Sequence, residues 1–168
     1  MICNFLSERA IALHEDYLEK LKLRYSILEK SVPSIVGKEI SEVQKMRVPY
    51  KDEIMSLKCN IICHEIFFSS FGRAHQSSKC IRGAFGSESG FLYEIYETVK
   101  ETENSFAFIN TKRGVPQISL GMPMDILRLS NVVLAIDLYE HTYFLDYGFD
   151  KCEYVRRMLA YLNLNKVV

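Results

Sequence analysis

The residues best suited to chemistry in this 168-residue chain are its histidines, of which there are only four. His14 falls on the apolar side of a repeat formed by His14, Leu18, Leu21, Tyr25 and Leu28. His64 shares a second apolar side with Ile54, Leu57, Ile61, Phe67, Phe68 and Phe71. Both sets have the 3.6-residue period of a helix. A single histidine on such a face is usually a satisfied core residue, but antiparallel neighbouring helices can bring two imidazoles to one point. Asp137 follows the run Asn131–Ile136, and His141 lies four residues further on. A carboxylate at the carboxyl end of a buried strand is expensive unless it is paired or binds a metal. One helical turn returns His141 to the same side. Three imidazoles and one carboxylate form a borderline-hard donor set that suits iron, manganese or zinc. The competing reading is an N-capping aspartate with a partly exposed histidine.

The elements that position these residues are legible from caps and breakers. Ser7 caps a helix with Glu8 in its first turn, and Ser31-Val32-Pro33 ends it. A shorter helix is expected over Lys38–Lys45, closed by Val48-Pro49, and a third from Lys51 to a stop at Gly72. Arg73–Lys79 is polar and reads as a linker. Ser87–Glu101 is expected to be helical. Ser105–Ile109 and Gln117–Leu120 read as strands joined by a turn containing Gly114 and Pro116. The β-branched run Asn131–Ile136 reads as a central strand, with helices over Leu138–Tyr147 and Glu153–Leu162. The fold class is therefore α+β in two layers.

Composition narrows the function classes. Twenty-one basic and 21 acidic residues cancel, so nothing marks a nucleic-acid partner. The most apolar run stops at Asp137, too soon to span a bilayer. The start Met1–Phe5 lacks a basic segment followed by an apolar one, and five scattered cysteines read as reduced thiols; both point to the cytoplasm. Cys59 and Cys63 can share a helix face, but Cys80 and Cys152 supply no second pair at zinc spacing, so buried apolar thiols are expected. Phosphate loops, nucleophile elbows and redox CxxC pairs are absent. The 10 Phe and 10 Tyr come with no Trp.

Ala135–Tyr147, reading AIDLYEHTYFLDY, resembles the aspartate-x-tryptophan-glutamate-histidine signature of iron/manganese superoxide dismutases. Leu6–His14 resembles the segment carrying that family's first histidine ligand, and Cys63–Phe68 the segment carrying its second. Ala84–Ser87 with Phe91 resembles the opening helix of its second domain, and Ser105–Ile109 its first strand. The resemblance implies an N-terminal helical hairpin domain (1–76) and a C-terminal α/β domain (77–168) with a three-stranded antiparallel sheet. Between them one Fe or Mn ion per subunit would be held by His14, His64, Asp137 and His141. It implies the conversion of superoxide to O2 and H2O2. It also implies a homodimer, with Glu140 and His141 near the interface and Glu140 bonded to the other subunit's metal-ligating histidine.

The sequence departs from that family around the metal. Asn60 stands where some members carry a glutamine amide, and Thr102 stands near the alternative place. Asn60 can serve as the shorter amide, or simply bond within its helix. The family's gateway tyrosine and second histidine follow the first ligand by about one and two helical turns, but here those turns read Leu18-Glu19-Lys20-Leu21-Lys22, with neither in register; Tyr17 or Tyr25 substitutes only if the helix is re-registered. Phe144 replaces a tyrosine that pairs across the dimer. Phe68, Phe106, Phe108 and Tyr139 replace the family's tryptophans. Asn60, Tyr139 and Glu140 are thus the expected catalytic residues beside the metal ligands. Reduced activity is expected, and the alternative is a catalytically degenerate relative that holds metal as a binding or regulatory protein. His75 matches no ligand position.

Overall fold

The computed structural model describes residues 5–72 and 78–168. Seven helices and three strands follow one another as α1 (Glu8–Ser31), α2 (Ile40–Val43), α3 (Lys51–Ser69), α4 (Lys79–Phe85), α5 (Glu88–Val99), β1 (Phe106–Lys112), β2 (Val115–Gly121), β3 (Val132–Asp137), α6 (Glu140–Tyr147) and α7 (Lys151–Leu159). The architecture is α+β, with helices first and an antiparallel three-stranded sheet after them. The expected domain boundary at 76/77, the central part of the expected linker and His75 lie outside the described residues.

Ser7 caps α1 as expected, its hydroxyl accepting from the Ala10 amide at 3.1 Å. α1 and α3 run antiparallel: His14 sits against His64, with ring centroids 5.0 Å apart, while ten residues later Arg24 pairs with Glu53 at 3.2 Å. The Lys38–Lys45 expectation shrinks to the single turn of α2. A short 3₁₀ turn at Pro33–Ile35 precedes it.

Two expectations about the sheet need correction. Its order is β2-β1-β3, so β1 is central and β3, although largely buried, is an edge. Helices cover both faces of β3, which explains its unbroken apolar run. The end of α3 satisfies its outer edge: Ser70 Oγ accepts from the Ala135 amide at 2.9 Å while donating to the Ile66 carbonyl at 2.7 Å. The β1–β2 turn is the two-residue Arg113-Gly114, with φ of 53° and 75°, a left-handed pair of the kind that matches strand twist. Pro116 lies inside β2 opposite Thr111. A proline is tolerated there because β2 is the other edge of the sheet.

Side-chain alternation splits the core. Ala107, Ile109, Leu134 and Ile136 face a cluster built with α5 and α7, including Ile95, Tyr154 and Met158. Phe106, Phe108 and Ala135 face Cys63 and Phe67 of α3. Asp137 continues that second face two residues beyond Ala135, which turns its carboxylate towards the helical hairpin.

Candidate metal centre

Four side chains from four elements meet beneath the sheet's end. One ligand atom from each of His14, His64, Asp137 and His141 can be chosen so that all lie within 4.8 Å of one another. Among the described residues this is the one such group of His, Cys, Asp and Glu side chains. The Nε2 atoms of His14, His64 and His141 stand 3.3, 3.4 and 3.2 Å from Asp137 Oδ2. His14, His64 and Asp137 are buried, whereas the His141 side chain keeps 36% of its surface exposed.

The convergence is not a hydrogen-bonded cluster. Asp137 Oδ2, His14 Nε2 and His64 Nε2 are buried with no hydrogen-bond partner among the described residues, since the three contacts have the distance of a bond but not its angles. Such orphaned atoms are expensive unless something common to them occupies the point they share. The tautomer of His64 agrees. Its Nδ1 lies 2.8 Å from the Asn60 carbonyl, which can only accept, so Nδ1 carries the proton and Nε2 presents a lone pair. Asp137 is oriented similarly: Oδ1 accepts from the Tyr139 amide at 2.9 Å, leaving Oδ2 free, and the buried Tyr154 hydroxyl donates to the Asp137 carbonyl at 2.9 Å. His14 has no partner on Nδ1 among the described residues; its ring is held between Phe67 and Phe68, at 4.9 and 5.0 Å.

Electrostatics keep Asp137 anionic and His64 neutral. Burial alone would push the Asp137 carboxyl up, but the neighbouring His14 and His141 imidazoles more than reverse this and hold it below the usual carboxylate range. Burial pushes the His64 imidazole down, against the opposing pull of Asp137, so the ring favours its neutral form. One anionic oxygen, the free Nε2 lone pair of His64 and two further imidazole nitrogens at the same point fit a single divalent or trivalent transition-metal ion. The thiols do not join them. Cys59 and Cys63 are buried, and burial raises Cys59 to about 11 and Cys63 further.

A cavity of about 260 Å³ opens onto this point, lined by Tyr17, Ser56, Asn60, His64, Met122, Pro123, Met124, Tyr139 and His141. Asn60 is half-buried at its wall, and its amide makes only a long 3.4 Å bond to the Ser56 carbonyl. Tyr139 stands over His141, with centroids 5.8 Å apart. Glu140 opens α6 and is exposed. Phe106 lies 5.4 Å from His64, and Phe108 stacks behind it at 5.8 Å.

Leu18 is buried, and Lys22 pairs with Glu19 and Glu65 at 3.2 and 3.5 Å, so neither side chain enters the cavity lining. Tyr17 reaches the mouth without any change of register, 4.8 Å from His141 and 5.3 Å from His64. The hydroxyl of Thr102 bonds instead to the Thr98 carbonyl at 3.0 Å. The sequence places Phe67 on the apolar face of His64 but not against His14, and neither the Tyr154 bond to Asp137 nor the Met122–Met124 segment in the cavity lining is signalled locally.

Residues 73–168 match a family model described as iron/manganese superoxide dismutases, C-terminal domain. No curated protein matches the chain. Among the described residues no helix is long and apolar enough to cross a membrane.

Proposed function

Because the chain belongs to the iron/manganese superoxide dismutase family, we propose that it holds one Fe or Mn ion on His14, His64, Asp137 and His141 and converts superoxide to O2 and H2O2. The observation that carries this reading is the convergence of three imidazole nitrogens on a single buried carboxylate oxygen that no hydrogen bond satisfies among the described residues. When bound, such an ion supplies one-electron redox chemistry, taking an electron from one superoxide and passing it to a second; zinc, which has no redox chemistry, would bind without turning over.

The chain's own residues do the rest. Asp137 supplies the anionic donor, and the Asn60 carbonyl fixes the His64 ring. The Tyr17 and Tyr139 hydroxyls border the cavity. Burial first, then the Asp137 charge, raises both above their ordinary value, so they remain protonated donors for an incoming anion. The weakly held Asn60 amide is free to turn towards the same space. Phe67, Phe68 and Phe106 exclude water from the ligand side.

A homodimer completes the proposal. Glu140 and the exposed part of His141 lie beside Phe144, itself 47% exposed, and a second copy would cover them. The described cysteines are all free, which suits the cytoplasm. A second reading, metal holding with little turnover, is favoured by the replacement of the two positions one and two turns after His14 by buried Leu18 and ion-paired Lys22.

One assay separates them. Protein reconstituted with Fe and, separately, with Mn is analysed for bound metal and for superoxide removal. The dismutase reading expects about one ion per chain and removal in at least one form. A full complement of either metal with no removal overturns it in favour of the second. Asp137→Ala should lose the ion, and full occupancy in that variant refutes the ligand set.

A further inference from the structure

We propose that Met122 and Met124 form an oxidation site, built into the mouth of the centre, for hydrogen peroxide leaving it; the inference rests on the dismutase reading, which supplies the peroxide. Both thioethers line the same cavity as His64 and His141, and their residues are 53% and 40% exposed. The backbone that carries them is fixed by a reciprocal turn. Met122 follows β2 directly, its amide donates to Asp125 Oδ2 at 2.9 Å, and the Asp125 amide returns a bond to the Met122 carbonyl at 2.9 Å. Pro123 between them accepts a 3.8 Å contact from Cys63 Sγ, the residue next to His64.

The remaining described methionines are placed differently. Met55 and Met158 are buried, and Met46 packs with Val32 and Ile35 in a cluster away from the centre. A molecule released from the ligands into this cavity therefore meets two methionine side chains in its lining.

The chemistry closes without another reagent. A sulfur lone pair attacks one oxygen of H2O2, the O–O bond breaks, and the second oxygen leaves as water after proton transfer. Methionine is oxidised to its sulfoxide and peroxide is reduced to water. The Tyr139 hydroxyl donates to Met122 Sδ at 3.3 Å. That bond ties up part of the sulfur's electron density, so Met122 should react more slowly than its exposure implies. After reaction, the sulfoxide oxygen is a stronger acceptor for the same hydroxyl. Oxidation thus turns an apolar rim polar and fastens it to Tyr139. The change is reversible by sulfoxide reductases.

The test uses Fe- or Mn-loaded full-length protein under continuous superoxide supply, with catalase in the bulk solution to destroy escaped peroxide. Superoxide consumption and peptide mass spectra are recorded on the same samples, and metal-free protein is treated identically. The expected result is severalfold more sulfoxide at Met122 and Met124 than at Met46, surviving catalase and absent without metal. Tyr139→Phe should raise the share of Met122 relative to Met124. Superoxide consumption without that excess, or an excess that catalase abolishes, overturns the inference and leaves the dismutase reading standing. No consumption in either metal form overturns both.

Discussion

Tyr154→Phe removes one oxygen atom from the least accessible part of the centre's support. The ring is fully buried, stacked on Tyr143 with centroids 5.1 Å apart, and its hydroxyl donates to the Asp137 carbonyl at 2.9 Å. Deleting the donor leaves a buried carbonyl short of a partner, a loss of about 1–3 kcal/mol. For a chain of this length each kcal/mol moves the midpoint by about 2–4 °C, so metal-free Tyr154→Phe should melt roughly 2–12 °C below the parent. Because Asp137 carries Oδ2 on the same residue, Fe or Mn affinity should fall by about 10–100-fold, the usual penalty for losing a group that orients a ligand. Tyr143→Phe is the control, since its ring packs in the same cluster but makes no bond to Asp137. Differential scanning calorimetry of both metal-free variants, with competitive metal titration, reads both quantities. If Tyr154→Phe matches the parent in midpoint and affinity, or if Tyr143→Phe loses as much, the assigned role of the hydroxyl is wrong.

Ser70→Ala should destabilise the fold by about 1–3 kcal/mol in chemical denaturation, because the buried Ala135 amide loses its acceptor; an unchanged midpoint would mean another group takes over the edge of β3. Asn60→Ala should lower superoxide removal and shift the redox potential while metal content stays constant, and an unchanged rate rejects the idea of a substitute amide. Acid should weaken the metal-free protein in two stages. The folded state holds His64 below its ordinary 6.5 and Asp137 below its ordinary 3.8, so the unfolded chain takes up protons first. Stability should therefore decline as pH falls below about 6.5 and again below about 3.8; denaturation midpoints constant from pH 7 to pH 5 would contradict the His64 part.

The long-period features of the fold were legible because each depends on neighbours close in sequence. Ser7 with Glu8 marks the start of α1, and the spacing of His14 and His64 among apolar residues places both imidazoles on inward faces. Asp137 and His141 are one turn apart across a strand end, which is again local. Strand order was not legible. Val132–Ile136 has the composition of a central strand because α3 and α7 bury its two faces, but composition reports burial and not which edge is hydrogen-bonded. α4 is not legible either, because Lys79–Phe85 is under two turns long and includes Gly83. The bond of Tyr154 to Asp137 and the Met122–Met124 rim are not legible for a related reason. Their roles arise only when α7 and the β2–β3 connection fold against Asp137 and α3, and nothing in their immediate sequence announces a partner 17 residues away or further.

The unpartnered atoms around Asp137 Oδ2 also bear on what the word stability means for this chain. His14 and His64 come from the helical hairpin, Asp137 and His141 from the sheet's end and the helix after it. An ion shared by all four would close loops of great length in one event, and only in the folded state. Its binding free energy then adds to folding as RT ln(1 + [L]/Kd), about 2.7 kcal/mol when free metal is a hundred times Kd. Melting temperature becomes a function of metal supply. A cell short of the right ion would hold a population that unfolds, and is degraded, more readily than the same sequence in a replete one.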